Sequence, residues 1–174
     1  MRLKVLNKQN NSGDCIICGV NNPLSVKASF YEVEGEYIVA TAVPRNEHQS
    51  YPNRMHGGMI SALLDETVGR AIMITKPDQW GVTSELNVKF RKPVPLDKQI
   101  FCVGKVVKER GMTFLAKGII EDEDGTLLAH GYATYVKLPL DKIAETQDVG
   151  WVKIEDDVTE FDIKNIDYLN EMQC

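Results

Sequence analysis

Residues 55–71 read MHGGMISALLDETVGRA, and the fold turns on how that stretch is buried. Two glycines open it, apolar residues fill it, and an acidic pair, Asp65 and Glu66, interrupts it. Ile60, Leu63, Leu64, Thr67, Val68, Ala71, Ile72 and Thr75 recur at helical spacing, which predicts a helix of about five turns stopped by Pro77. Met59, Ala62 and Met73 cover a second side, so this helix is expected to be wrapped rather than laid on a surface. A carboxylate in the middle of such a helix is costly if it loses water without gaining a partner. Asp65 is therefore either satisfied structurally or kept for chemistry.

Upstream, SVKASFYEVEGEYIVATAV (25–43) alternates in two segments around Glu34-Gly35-Glu36 and reads as a β-hairpin. PRNEHQSYPN (44–53) is a polar loop. Downstream the period changes to two. VTSELNVKF (82–90) is followed by segments at 99–109, 112–121 and 126–138, with turns at Arg110-Gly111 and Asp124-Gly125. Four strands joined in succession are expected to form an antiparallel meander. The predicted architecture is α+β, an antiparallel sheet of about six strands wrapped around one long central helix. Residues 1–24 are expected to be irregular, 25–138 to form the domain, and 139–174 to form an acidic tail or a surface-docked arm.

The chain has 174 residues, 43% apolar and 26% charged, which suits one soluble globular core. Its net charge of -5 is unevenly spread. Residues 139–174 hold ten acidic side chains against Lys142, Lys153 and Lys164, so the tail carries -7 and the remainder +2. No basic run suggests nucleic acid as a partner, and no apolar stretch suggests a membrane span or signal peptide. A cytoplasmic location is the default expectation. Of the four cysteines only Cys15 and Cys18 form a pattern, CIICG, which falls two ligands short of a tetrahedral zinc site. Two small side chains in a loop of a reducing compartment is the favoured reading, with no metal and no cofactor expected.

Gly57 and Gly58 stand where a helix has free N–H groups and a positive dipole end, a place for an anion or oxyanion. They could equally relieve crowding where the loop enters the helix. Asp65 lies eight residues after Gly57, about 12 Å along the axis, too far to act on a carbonyl held at Gly57 of the same chain. Two antiparallel copies of the helix would bring the two together. Gly58, Ser61, Asp65 and Gly69 form a stripe of small side chains that permits such an approach. Glu66 and Arg70 read as an ordinary i, i+4 surface pair. His56 could cap the helix or position the loop, and neither it nor His48 or His130 has a Ser or Cys nucleophile at a recognised spacing.

His56-Gly57-Gly58, Leu64-Asp65-Glu66 and Gly69, followed by GVTSELNV (81–88) and RKPVPL (91–96), resemble the hotdog-fold acyl-CoA thioesterases of the PaaI-like branch. The resemblance implies a sheet wrapped around a helix, paired into a homodimer or homotetramer with sites at the dimer interface. It implies that the Gly57 N–H polarises a thioester carbonyl, that Asp65 of the partner serves as nucleophile or general base, and that Thr83 holds the water or carboxylate. Acyl-CoA is the implied substrate, with His56, Gly58 and Asn53 near it. Many members carry Asn or Gln seven residues before the oxyanion glycine, where this chain has Ser50, with Gln49 and Asn53 nearby. Lys89, Arg91 and Lys92 could meet the CoA phosphates, or be charges that an alternating strand exposes in any case. An acyl-CoA-binding protein without hydrolysis is the alternative function; a hydratase on the same fold lacks an Asp–His pairing.

Overall fold

The computed structural model describes residues 1–143 and 150–173. One eight-stranded antiparallel sheet curls around one long helix, α1 (Gly57–Arg70). Its strands are β1 (Arg2–Lys8), β2 (Ser29–Val33), β3 (Tyr37–Ala42), β4 (Trp80–Phe90), β5 (Ile100–Arg110), β6 (Thr113–Asp122), β7 (Leu127–Leu138) and β8 (Glu160–Asp162), in the order β4-β7-β6-β5-β3-β2-β1-β8. A single helical turn, α2 (Leu140–Ile143), follows β7, and α3 (Ile166–Glu171) follows β8. Residues 144–149 and Cys174 of the expected acidic tail lie outside the described residues.

The helix follows from its spacing: Ile60, Leu63, Leu64, Thr67 and Val68 are buried against the sheet. It ends earlier than expected. After Arg70 the chain tightens into a 3-10 turn over Ala71–Ile74, and Thr75 is exposed. The hairpin β2–β3 turns where Gly35 and Glu36 take positive φ. Its strands are buried on both faces. Phe30, Ile38 and Ala40 face the core shared with α1, while Tyr31, Val33 and Val39 face a second cluster on the far side of the sheet.

The sheet has eight strands because both termini join it. Arg2–Lys8, expected to be irregular, pair with β2, and Glu160–Asp162 of the acidic tail pair with β1. The tail docks because its apolar residues Phe161, Ile163, Ile166 and Leu169 cover the second cluster, while its acidic residues alternate outward. The four successive strands are also not a meander. β5, β6 and β7 are, but β4 pairs with β7 at the far edge. The link 91–99 carries two prolines and a buried Val94, and is a crossing connection rather than a tight turn.

The surface pair read at Glu66 and Arg70 is corrected too. Arg70 is only 6% exposed. It donates to Glu66 Oε1 at 2.9 Å and to the Asn10 carbonyl at 2.9 Å, and its guanidinium lies 4.2 Å from the centre of the Phe30 ring. The N-terminal segment, absent from a helix-wheel argument, covers that face of α1.

Candidate active site

Asp65 is half-buried on α1 and held from β4 and β7. Thr83 Oγ1 donates to Asp65 Oδ1 at 2.9 Å. The Tyr135 hydroxyl lies 2.7 Å from the Asp65 carbonyl oxygen and 2.9 Å from Oδ1, and shares its one proton between them. Thr83 and Tyr135 are direct neighbours across the β4–β7 ladder, and a bulge at Ser84 follows. Such a bulge bends an edge strand and re-aims the side chain beside it. Burial, and then the negative charge of Asp65, pushes the Tyr135 phenol well above its ordinary pKa, so it remains a donor. With Oδ1 occupied, Asp65 Oδ2 has no hydrogen-bond partner among the described residues and is the oxygen free to act.

At the start of α1 the first-turn donors divide unequally. His56 caps the helix, its Nδ1 accepting the Gly58 N–H at 2.9 Å, and its carbonyl takes the N–H groups of Met59 and Ile60. The Gly57 N–H has no acceptor among the described residues. The two glycines also differ sterically. A Cβ on Gly58 would lie 3.0 Å from the His56 ring, whereas one on Gly57 would meet only the Phe90 ring, at an ordinary 3.6 Å. Crowding thus explains Gly58 and leaves Gly57 without a packing reason. A free N–H at a positive dipole end, on a residue that lines an open cavity, is what an oxyanion requires.

The two groups open into different cavities. One is lined by Asp65, Glu66, Gly69, Thr83, Tyr135 and Trp151, and the stacked Trp80–Trp151 pair borders it. The other is lined by Ser50, Arg54, Gly57, Phe90, Arg91 and Lys92, among others. Of the residues singled out from sequence, Asp65 and Thr83 meet at the first cavity, and Gly57, Arg91 and Lys92 at the second. Lys89 is exposed but lines neither. Gln49 Oε1 accepts the N–H of Asn53, which sits in the left-handed region at φ 59°, so these two stabilise the loop while Ser50 faces the Gly57 cavity. His48 is buried and bonded to the Arg45 N–H and Leu24 carbonyl, a loop-fixing role. The sequence reading missed Tyr135, Arg54 and Trp151. A tyrosine on an apolar strand face requires a partner for its hydroxyl, and that signal was present in YATYVKL (132–138).

A sheet wrapped around one long helix is the hotdog arrangement, and here it carries a bonded carboxylate in mid-helix and a free glycine N–H at the helix start. The family described as "Thioesterase superfamily" matches residues 53–129. The human protein named "Acyl-coenzyme A thioesterase 13" is 24% identical over 116 residues, covering 61% of this chain and 83% of its own. The zebra fish thioesterase superfamily member 2 structure superposes with a TM-score of 0.61 at 20% identity, over 68% of this chain and 88% of that one. A hypothetical thioesterase of Streptococcus pneumoniae, solved with coenzyme A, gives a TM-score of 0.55 at 21% identity, over 59% of this chain and 82% of that one. The chain is similar to the thioesterase superfamily over residues 53–129 and shares the hotdog fold of these structures.

Proposed function

We propose that this protein hydrolyses an acyl-CoA thioester at a site made by two copies of the chain, with Gly57 from one and Asp65 from the other. The observation that carries this reading is the placement of both half-sites along one free sheet edge. β4 is an 11-residue edge strand with most side chains exposed, an invitation to pair with another strand. Its Thr83 end sits at Asp65, and its Phe90 end sits beside Gly57. Antiparallel pairing of β4 with a second β4, centred near the middle of the strand, lays the Thr83 end of one copy against the Phe90 end of the other. Asp65 then approaches Gly57 of the partner subunit, which the helix rise of about 12 Å forbids within one chain.

The chemistry follows from those positions. The Gly57 N–H and the helix dipole polarise the thioester carbonyl and hold the oxyanion. Asp65 Oδ2, aimed by the bonds to Oδ1, takes a proton from water as the water attacks the carbonyl carbon; the intermediate collapses and the CoA thiolate leaves with that proton. In the covalent variant Oδ2 attacks the carbonyl carbon and expels the CoA thiolate, and water then cleaves the anhydride to the free acid and the Asp65 carboxylate. Arg54, Arg91 and Lys92 around the Gly57 cavity are placed for the CoA phosphates.

Release of CoA from an acyl-CoA panel tests the activity. Tight binding without release would instead make the protein an acyl-CoA-binding module. Label found in Asp65 after a single turnover in oxygen-18 water would mark the covalent route, because only water attacking the Asp65 carbonyl of an anhydride can leave it there.

A further inference from the structure

CIICG falls two ligands short as a sequence, and the fold supplies one of them. The Cys15–Cys18 loop lies against α1, where Cys15 Sγ, Cys18 Sγ and a Glu66 carboxylate oxygen fall within 4.8 Å of one another. We propose that Cys15, Cys18 and Glu66 bind a zinc-class divalent cation that ties the N-terminal segment to the helix bearing Asp65, with water in the fourth position.

Three observations support the site. First, the spacing is close to what the ion requires. Metal–sulfur bonds of about 2.3 Å and metal–oxygen bonds of about 2.0–2.2 Å in a tetrahedron place donor atoms about 3.5–3.8 Å apart, within side-chain adjustment of the cluster. Second, the loop is shaped to present both sulfurs. The Ile17 N–H donates to Cys15 Sγ and the Ser12 N–H to Cys18 Sγ, each at 3.3 Å, so the backbone holds both sulfurs in place. The Gly19 N–H closes the turn on the Cys15 carbonyl at 2.8 Å, where a Cβ would lie 2.3 Å from that oxygen, so only glycine follows the second cysteine.

Third, the charges balance. Two thiolates and a carboxylate bring three negative charges, and a divalent ion with the Arg70 guanidinium brings three positive. Arg70 Nη2 donates to Cys18 Sγ at 3.4 Å and Nε to Glu66 Oε1 at 2.9 Å, so one cation orients two ligands from behind. Cys18 and Arg70 are buried, and burial makes such neutrality matter. Glu66 follows Asp65 directly, so the ion would fix the turn of α1 that carries the carboxylate on which the proposed function rests.

The test is cobalt titration of the full chain, reduced and freed of metal by a chelator. One equivalent of Co²⁺ per chain should give thiolate-to-cobalt charge-transfer absorption with tetrahedral d–d bands, and Zn²⁺ should displace it and raise Tm. Cys15→Ser and Glu66→Gln should each weaken Co²⁺ affinity by roughly tenfold or more, with circular dichroism unchanged. Absence of these bands from the wild type overturns the proposal without reference to any variant. So does Zn²⁺ failing to slow the conversion of the thiols to a Cys15–Cys18 disulfide by a small-molecule disulfide, which would make the pair a redox couple instead.

Discussion

Asp65 is fixed through one oxygen and free at the other, and this asymmetry sets what each neighbouring substitution should do. Asp65→Asn keeps the volume and loses the base, so kcat should fall by roughly 10²–10⁴-fold while Tm holds or rises. Hydrolysis within a fewfold of wild type would remove Asp65 from the mechanism. Tyr135→Phe should leave acyl-CoA binding intact, reduce kcat by less than Asp65→Asn, and cost about 1 kcal/mol of stability, because the Asp65 carbonyl loses a buried donor. The two glycines make the sharper contrast. Gly57→Ala should leave Tm unchanged and abolish turnover, since its methyl group fits the chain but covers the N–H; Gly58→Ala should lower Tm by crowding His56. Equal effects of the two on Tm would sink the assignment of Gly57 as the oxyanion donor. Asp65 and Gly57 stood out in the sequence because each has a physical oddity of its own, whereas Thr83 was named through the family resemblance and lies 2.9 Å from Asp65. Tyr135 was not, because strand alternation reveals that a side chain points inward without revealing what it meets 70 residues away.

Strands and helices were legible wherever the period was clean, as in the hairpin at 29–42 and the three strands from Ile100 to Leu138. What failed was pairing. Nothing local in VTSELNVKF says whether it joins the strand after it or crosses to the far edge, and here it crosses. β8 is three residues long, too short for periodicity to register, and β1 was hidden by polar neighbours. Arg70 was misjudged because the i, i+4 rule describes an isolated helix, and α1 is covered there by the N-terminal segment. The crossing link has a consequence for substrate: it turns Arg91 and Lys92 back toward the Gly57 cavity, whereas Lys89, still in the strand, lies outside it. Charge reversal at Arg91 or Lys92 should therefore raise KM for acyl-CoA with kcat nearly unchanged, and reversal at Lys89 should do less. The effect should shrink as salt rises. An unchanged KM, together with equal hydrolysis of a thioester lacking the CoA phosphates, would move phosphate recognition away from this cavity.

At the scale of the whole molecule, Asp65 and Gly57 open into different cavities of one chain, and the proposed two-chain site makes a prediction that no single substitution could. A Gly57→Ala homodimer has sound carboxylates and blocked N–H groups; an Asp65→Asn homodimer has the reverse. Both should be inactive. Mixed and allowed to exchange subunits, they form a heterodimer in which one of the two sites pairs an intact Gly57 with an intact Asp65, and the other carries both lesions. With equal mixing and random exchange half of the dimers are mixed and each has one working site of two, so activity should recover to about a quarter of wild type. Sites contained within one chain would give no recovery at any ratio. Recovery should also follow the exchange rate, and should fail if each homodimer is first cross-linked across β4. Light scattering on the active fraction checks the same premise independently: a monomer that turns over acyl-CoA at assay concentration would show that the 12 Å between the half-sites is closed in some other way than by a second copy of the chain.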